Sequence, residues 1–421
     1  MPGSRGSAPG LVLMRDLLFL SHRIPYPPDK GEKIRAWHML RHLARTHRIH
    51  LGCFLDDPAD RAHLDELRRQ CADLHVIDID RTRQKLLSVL RTRPGQPLTL
   101  GYFSDPRLRA WVQAKVGGGI DRAFVYCSAM APYLMGASRV RRVLDMVDVD
   151  SAKWAEYAAR SAWPASAVWA REARTLLAVE RAAALDFDRT LFVSEAEAAA
   201  FVRLAPETAA KVGWLDNGVD LEFFAPAPGF AAPVAGRYAV FTGTMDYWPN
   251  VDAVTWFADA VLPAIQVRHP GTKFVVVGAN PAPSVQKLAD RENIVVTGRV
   301  ADVRPYLAHA ALVVAPLRIA RGIQNKVLEA MAMGRPVLAT PQAFAGLRAL
   351  PGRDLLVAAD AADFATRAAE VLDGVWPALG TAARAAVVRD YAWAATLAGL
   401  DALFAVPTQA LNTSLAHEAT A

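Results

Sequence analysis

The sequence has 421 residues and a formal net charge of +6, and hydrophobic and charged residues make up 52% and 21% of it. This ordinary globular composition excludes a disordered chain and a fibrous repeat. Single hydrophobic cores stop growing at about 250–300 residues, so we expect two domains. The excess of positive charge would suit an anionic membrane, a nucleic acid or a phosphorylated substrate, and its sign alone does not choose among them.

The cysteines favour a reducing compartment. Cys53, Cys71 and Cys127 are widely separated, show no C-x-x-C spacing and leave one thiol unpaired under any disulfide scheme. We therefore expect a cytoplasmic protein.

The N-terminal stretch shows neither a signal-peptide pattern nor a membrane-spanning one. Arg15 and Asp16 interrupt the first apolar stretch, so neither a signal peptide nor a span of about 20 apolar residues can be drawn there. Residues 1–13 are rich in Gly, Ser and Pro and are predicted to be a disordered extension, which makes Met14 a candidate start. The polar residues 406–421 are predicted to be a mobile tail.

Apolar, strand-like runs alternate with helical periodicity through most of the chain, as in parallel, doubly wound α/β sheets. The Pro- and Gly-rich residues 225–236 separate two such series and are predicted to be a linker. We predict one α/β domain over residues 14–224, a second over 237–390 and a C-terminal helix over 391–405. The runs are LLFLSH, RIHLGCF, LHVIDI, RAFVYCS, RRVLDMVD and TLFVSE, then YAVFTGT, KFVVVGAN, NIVVTGR, AALVVAPL, RPVLAT and DLLVAA.

Residues 151–186 form an Ala-rich segment with helical character and a break near Pro164. Four aromatic residues lie in it, and packing in the core is the expected role of their rings. They are Trp154, Tyr157, Trp163 and Trp169.

The segment 320–340, ARGIQNKVLEAMAMGRPVLAT, follows a strand-like run and places charges at the start of a predicted helix over 322–333. In a parallel sheet the ligand lies beyond the carboxyl ends of the strands, where the next helix presents free N–H groups. Gly322 would let a diphosphate approach the backbone, Lys326 supplies a cation, and Glu329 can accept two hydroxyl hydrogen bonds from a ribose. The alternative is a solvated Lys326–Glu329 ion pair worth about 0.2–0.5 kcal/mol.

A second stretch is WLDNGVDLEFFAP at residues 214–226. Together with the 320–340 segment, it closely resembles the retaining glycosyltransferases of family 4. Its Asn-Gly-Val-Asp core matches the interdomain turn of that family, and Glu329 matches the second glutamate of its paired-glutamate motif. SHRIPYPPDKGEKIRAWHML, DMVDVDSAKW and MDYWPNVDAV further resemble sugar transferases of exosortase (PEP-CTERM) and exopolysaccharide loci in Gram-negative bacteria. The resemblance covers nearly the whole chain.

The resemblance implies the GT-B architecture, in which two facing Rossmann-like domains with parallel sheets enclose an interdomain cleft. The first domain would hold the acceptor and the second the nucleotide sugar. The donor-binding residues would be Gly243, Asp246, Arg318, Gly322, Gln324, Asn325, Lys326 and Glu329.

Two positions depart from the family pattern. Arg321 stands eight residues before Glu329, where the family usually has its first glutamate, a donor-sugar contact in relatives. The loop after FTG, which usually brings Arg or Lys to the donor phosphates, reads Thr-Met-Asp at residues 244–246. Arg318, Arg321 and Lys326 are the candidates for the missing cation.

Cleavage of the anomeric C–O bond leaves negative charge on the diphosphate, and cations with a helix N-terminus can stabilise it electrostatically. We therefore expect Asp148, Arg321 and Lys326 to be the catalytic residues, and no metal or cofactor to be needed besides the nucleotide-sugar co-substrate. Asp148 to Asp150 imitate a metal-binding D-x-D motif but follow a strand, so we do not expect a metal there. Asp150 is a candidate acceptor contact, and the alternative is that Asp150 or Ser151 caps the next helix.

The first long loop carries the remaining acceptor-side candidates. His22, Lys30, Gly31 and Lys33 would hold an acceptor phosphate or approach the donor diphosphate, and Gly31 is predicted to open the following helix. The alternatives are that Lys33 and Arg35 only solvate that helix and that His22 is a core histidine.

Residues 81–93, RTRQKLLSVLRTR, carry five basic residues, no acidic residue and several apolar ones. This basic amphipathic pattern would dock the first domain on an anionic membrane surface. The alternative is a solvated face whose apolar residues pack on the sheet. No recognised nucleic-acid-binding module is present, so no nucleic-acid partner is expected.

These features predict a retaining, metal-independent glycosyltransferase. It would transfer a hexose from a nucleotide-diphosphate sugar to a growing, lipid-linked glycan in exopolysaccharide assembly, in the cytoplasm or at the inner face of the inner membrane. The alternatives are a nucleotide-sugar epimerase of the same architecture and a non-catalytic sugar-nucleotide binding protein.

Overall fold

The structure is a computed structural model that describes residues 14–28, 31–92, 95–320 and 322–405. Several predictions made above fall outside these described residues. They concern the extension 1–13, Lys30, Arg321 and the tail 406–421.

The described chain divides into two compact units. The first contains residues 14–192, 198–214 and 399–405, and the second contains 193–197 and 215–398. The domain boundaries given by the sequence remain a prediction.

The first unit is built on a seven-stranded, all-parallel sheet with the strand order β3-β2-β1-β4-β5-β6-β7. Its strands are β1 Arg15–Ser21, β2 His47–Leu55, β3 Asp73–Asp78, β4 Arg122–Tyr126, β5 Arg141–Val147, β6 Arg189–Phe192 and β7 Val212–Trp214. The helices of this half of the chain are α1 Gly31–Leu43, α2 Leu64–Gln70, α3 Arg81–Arg91, α4 Leu98–Tyr102, α5 Pro106–Gly117, α6 Asp150–Arg160, α7 Ala165–Asp186 and α8 Glu195–Leu204.

The second unit repeats this plan with six parallel strands in the order β10-β9-β8-β11-β12-β13. Its strands are β8 Tyr238–Thr242, β9 Lys273–Val277, β10 Ile294–Val296, β11 Leu312–Ala315, β12 Val337–Ala339 and β13 Leu356–Val357. The helices are α9 Trp248–Trp256, α10 Leu262–Arg268, α11 Pro283–Gln286, α12 Arg304–His309, α13 Asn325–Ala332, α14 Pro341–Phe344, α15 Ala361–Leu372, α16 Leu379–Asp390 and α17 Trp393–Thr396, and the described residues end in α18 Ala398–Ala405.

The central strands are hydrophobic on both faces because helices cover both sides of a parallel sheet. All five residues of β8 and of β4 are buried. The predicted alternation of strands and helices, and with it the α/β fold class, is confirmed in both units. In each sheet the strand order reverses beside the first strand, between β1 and β4 and between β8 and β11, which creates a switch point for ligand binding.

Three local predictions need correction. The helix expected from residue 322 begins at Asn325, because Gly322 has φ +60° and cannot join a right-handed helix. The single helix expected over 391–405 is two short helices, α17 and α18. The aromatic rings of 151–186 do not all pack in the core, since Trp163 is 83% exposed.

Close glycine packing at the end of β9 fixes the loop that follows β8. A Cβ on Gly278 would lie 1.6 Å from the carbonyl oxygen of Gly243. The Gly243 N–H donates to Val277 O at 3.0 Å, so the two backbones are held in contact. Only glycine allows this approach.

We expect Gly278→Ala to lower the free energy of unfolding of the second unit by about 3 kcal/mol, because the new methyl group must displace backbone. Denaturant unfolding followed by circular dichroism measures the change. Gly117→Ala is the control, since a Cβ there has no neighbour within 4 Å, and we expect a change within about 0.5 kcal/mol. Equal stability of the two variants would contradict the close-packing account.

Candidate functional site

The candidate site lies at the switch point of the second sheet, at the carboxyl ends of β8 and β11. Gly243 follows β8 directly and leads into α9, while Arg318 follows β11 and leads into α13. Because parallel strands end at the same edge, these two connections come together there. The site is therefore assembled from segments about 80 residues apart in the chain.

Lys326 is the charged group at the centre of this site. Its Nζ donates to Asn250 Oδ1 at 2.7 Å and lies 4.3 Å from the centroid of the Phe241 ring. Asn250 is itself buried, and its Nδ2 donates to Thr244 O at 2.8 Å. The asparagine thus ties the lysine of α13 to the loop after β8.

Gly243 forms the side of the site next to these polar groups. A Cβ at this position would lie 2.8 Å from Asn250 Nδ2 and 3.1 Å from Lys326 Nζ. Any larger residue would displace the amide or the ammonium group. Position 243 therefore requires glycine, because Lys326 Nζ and the Asn250 amide occupy the space that a side chain would need.

Burial tunes the charges of Lys326 and Glu329. It lowers the pKa of Lys326 to about 7, an effect that the nearby Glu329 opposes. It raises the pKa of Glu329 to about 7, and Lys326 opposes that shift. Both side chains keep some solvent access, but protein atoms surround them closely enough to disfavour the charged forms.

The alternative of a Lys326–Glu329 ion pair is not supported by the geometry. Within the described part of the chain, Lys326 Nζ donates its hydrogen bond to the uncharged Asn250, and no carboxylate oxygen of Glu329 lies within 4.0 Å of it. A lysine that lacks a close carboxylate and has lost part of its hydration favours the approach of an anion.

The start of α13 contributes backbone N–H groups to the same edge. Gln324 occupies the N-cap position with an extended backbone, and its side chain makes no capping bond but donates from Nε2 to Gly322 O at 3.2 Å. Asn325 Oδ1 accepts from Asn217 Nδ2 at 3.1 Å, which anchors the helix start to the 214–226 segment. This end of α13 carries the positive pole of its helix dipole.

The other predicted donor-side charges are engaged elsewhere. The Arg318 guanidinium bonds both carboxylate oxygens of Asp252, with its Nε 3.0 Å from Oδ2. Asp246 is exposed and accepts from Asn280 Nδ2 at 3.2 Å. Among the three candidate cations, Arg321 lies outside the described residues, and Lys326 is the one placed inside the switch point.

In the first unit, His22 follows β1 at the corresponding edge of the sheet. Its ring stacks on Tyr126 with centroids 5.9 Å apart and meets the edge of Phe103 at 5.4 Å. Burial lowers the pKa of His22 to about 4, so the imidazole is neutral near pH 7. The expectation of a packed histidine fits this setting, while an acceptor-side role remains a prediction.

Two basic residues of α1, Lys33 and Arg35, are buried and paired. The described part of this helix begins at Gly31, and its opening there stays a prediction. Lys33 Nζ lies 2.8 Å from Asp60 Oδ2, and Arg35 Nε lies 2.8 Å from Asp145 Oδ2 in the interior. The alternative in which Lys33 and Arg35 only solvate the helix is therefore wrong, because both are buried against carboxylates. The sequence could not show this, since both carboxylates lie far from the helix along the chain.

Asp148 and Asp150 lie at the sharp bend after β5. Val147 has φ +69°, which a β-branched residue adopts only under strain, and such strain is concentrated at functional sites. The Ser128 hydroxyl donates to Asp150 Oδ2 at 3.4 Å. The bend brings β5 directly into α6.

The expected capping of α6 by Asp150 or Ser151 is wrong. Val149 holds the N-cap position, and Glu180 of α7 accepts the Ser151 N–H at 3.2 Å as well as its hydroxyl. Burial raises the pKa of Glu180 to about 8. Glu180 lies 29 residues after Ser151, so no local pattern in the sequence indicates this interaction.

Sequence reasoning also missed Asn250. Asn250 lies in the stretch MDYWPNVDAV, but nothing in the spacing shows that its amide would reach Lys326, 76 residues away. The nearest available signal is the combination of a polar residue in the first turn of α9 with a glycine after the preceding strand.

Comparison with known proteins agrees with this geometry. Residues 236–374 match the family model described as Glycosyl transferases group 1. A comparison with curated proteins found no match. The matched residues lie within the second unit.

Solved structures show the fold of the whole chain. HepE from Anabaena, in complex with UDP and glucose, is 15% identical with a TM-score of 0.66, over 93% of this chain and 99% of that chain. Sucrose-phosphate synthase from Thermosynechococcus elongatus is 17% identical with a TM-score of 0.66, over 93% and 98%. A glycosyltransferase from Rickettsia africae is 11% identical with a TM-score of 0.63, over 93% and 98%. The fold is that of the GT-B glycosyltransferases, with two Rossmann-like domains.

The described residues contain no group of three or more His, Cys, Asp or Glu arranged to hold a metal ion. None of the helices described is both long and apolar enough to cross a bilayer. Metal independence stays a prediction.

We expect Asn250→Asp to raise the pKa of Lys326, because a negative charge would replace the amide oxygen 2.7 Å from Nζ. Amine-specific labelling of Lys326 across a pH series, followed by mass spectrometry, should show the reactive form appearing roughly one pH unit or more higher than in the wild type. Asn250→Ala introduces no charge and is the matched control, without that upward displacement. Identical profiles for Asn250→Asp and wild type would contradict the contact.

Proposed function

We propose that the protein is a glycosyltransferase that moves a hexose from a nucleotide-diphosphate sugar to a growing, lipid-linked glycan in exopolysaccharide assembly. The observation that carries the donor half of this proposal is the half-buried Lys326 ammonium at the switch point, next to the start of α13. HepE, a structure with the same fold, holds UDP and glucose, which supports a nucleotide sugar as the donor.

The donor diphosphate would lie against the N–H groups at the start of α13, with Lys326 Nζ at its side. Gly322 has φ +60° and no side chain to stand between its backbone and the diphosphate oxygens. As the anomeric C–O bond breaks, negative charge grows on the diphosphate and holds Lys326 in its protonated form. The site thus gains electrostatic stabilisation at the moment when charge develops.

Glu329 would bind the ribose. It lies one helical turn after Lys326 on α13, so a nucleotide with its diphosphate at the helix start places its ribose nearer to this carboxylate. A carboxylate can accept both ribose hydroxyls, which fixes the orientation of the nucleotide. Gln324, Asn325, Arg318 and Asp246 remain proposed donor contacts, with Arg318 oriented through Asp252.

The acceptor side is proposed in the first unit, at the carboxyl edge of its sheet. His22, Gly31 and Lys33 follow β1, and Asp148 and Asp150 follow β5. A neutral His22 and the strained bend at Val147 are suited to hydrogen-bonding sugar hydroxyls rather than to binding a phosphate. We propose transfer with retention and without a metal, and we assign no catalytic base.

A lipid-linked acceptor requires the enzyme to work at a membrane surface, and α3 supports a peripheral position. Two of its buried side chains are polar, since Gln84 donates to Tyr102 O at 2.7 Å and Ser88 is buried, while Leu87 is half-buried. Leu90 is 74% exposed, and Arg83 and Lys85 face solvent. The alternative in which the apolar residues pack on the sheet is thus wrong for Leu90, while the side chains of Leu86 and Val89 lie outside the described residues.

We expect Glu329→Ala to weaken binding of the nucleoside diphosphate roughly 10- to 100-fold, because two hydrogen bonds to a charged group are lost. Isothermal titration calorimetry measures the affinity, and circular dichroism checks that the fold is intact. Glu292→Ala changes an exposed glutamate of the same unit and should bind like the wild type. Unchanged affinity in Glu329→Ala would refute the ribose assignment.

The same preparations test the transfer reaction. Incubation of the wild type with a panel of nucleotide sugars and a bacterial lipid extract should give a glycosylated lipid with retained anomeric configuration. Isomerised donor without acceptor would identify an epimerase, and nucleotide binding without any turnover would identify a binding protein; either result would overturn the proposal.

A further inference from the structure

Helices α6 and α7 of the first unit form a helical hairpin that the donor site does not use. The two helices pack on each other through their own aromatic rings. Trp154 stacks on Trp169 with centroids 4.9 Å apart, and Tyr157 meets the edge of Trp154 at 5.6 Å. We use "hairpin tip" for residues 160–171, the end of α6, the turn and the first two turns of α7.

The hairpin tip does not belong to the core of the first unit. The buried residues of α7 begin at Glu172 and continue toward its C-terminal end. At the tip, Trp163 is 83% exposed and Val168 is 44% exposed. Trp163 therefore contributes little buried apolar surface to the fold of the first unit.

The charge around the tip is positive. Residues 153–174 contain four basic residues, Lys153, Arg160, Arg171 and Arg174, and two acidic ones, Glu156 and Glu172. Glu172 is buried and points away from solvent, accepting the N–H groups of Leu98 and Thr99 at 2.7 and 2.9 Å. The exposed surface is therefore basic and aromatic.

The hairpin contacts α4 and the segment before it, and α4 in turn packs on the basic helix α3. Arg171 Nη2 donates to Gln96 O at 2.9 Å, and Glu172 holds the start of α4. In α4, a Cβ on Gly101 would lie 2.9 Å from Ser88 O, so α4 packs directly on α3. α3, α4 and α7 thus form one continuous assembly within the first unit.

We propose that the hairpin tip is an interfacial membrane anchor that binds an anionic phospholipid surface together with α3. Tryptophan concentrates at the boundary between headgroups and acyl chains, where the ring is apolar and its N–H stays hydrated. The basic residues of the tip and of α3 complement the negative headgroups. The inference deepens the proposed function by giving the lipid-linked acceptor a defined docking surface.

Vesicle binding by the full chain tests this surface. The probe is a liposome of phosphatidylcholine with phosphatidylglycerol, compared with phosphatidylcholine alone. We expect Trp163→Ala to lower the partition coefficient on anionic vesicles about tenfold, the loss of much of one buried aromatic side chain. The matched control is Trp214→Ala, which removes another exposed tryptophan of the first unit and should bind like the wild type.

Two further measurements sharpen the result. Lipids brominated in the acyl chains should quench part of the tryptophan fluorescence of the wild type, and that part should disappear in Trp163→Ala. The double variant Arg83→Glu with Lys85→Glu should bind less and lose most of its salt dependence. Wild-type binding by Trp163→Ala, persistent quenching in that variant, or equal binding to neutral vesicles would each overturn the proposal.

Calorimetric titration of Trp163→Ala with the nucleoside diphosphate separates this inference from the proposed function. Donor affinity should be unchanged, because Trp163 and the donor site lie in different units. If vesicle binding depends on Trp163 but no sugar is transferred, the membrane anchor is supported and the proposed transferase function is rejected. Sugar transfer by a protein that ignores anionic vesicles would reject the anchor alone.

Discussion

The functional account depends on one constraint, the partial desolvation of the Lys326 ammonium beneath the loop that follows β8. Asn250 offers it a single neutral oxygen, and the Phe241 ring covers another side. An ammonium in this setting has lost part of its hydration without gaining a close carboxylate, so its pKa falls to about 7. The arrangement is stabilised when an anion arrives, which is what a departing diphosphate supplies.

Backbone packing keeps this constraint in place. Gly278 allows β9 to approach the loop after β8, and Gly243 leaves the space that Nζ and the Asn250 amide fill. The start of α13 is held in turn by Asn217, so the 214–226 segment contributes to the site through position rather than through its own charge. Because these loops are already held in place, less of the binding free energy is lost in ordering them when the ligand binds.

Local patterns in the sequence were enough to predict the alternation of strands and helices and the placement of Lys326 and Glu329 on one helix after β11. Long-range pairings were not predictable, because neither spacing nor propensity records them. The pairing of Lys33 with Asp60, the capping of α6 by Glu180 and the reach of Asn250 to Lys326 all join residues far apart in the chain. The exposure of Trp163 was missed for the same reason, since a tryptophan in an apolar helical segment normally packs inward.

A crystal structure of the protein with a non-hydrolysable nucleotide-sugar analogue tests the central claim most directly. The account predicts a phosphate oxygen within about 3 Å of Lys326 Nζ, at charge-assisted hydrogen-bond distance, with the ribose hydroxyls on Glu329. Density for the nucleotide at any other place, with the start of α13 and Lys326 untouched, would contradict it.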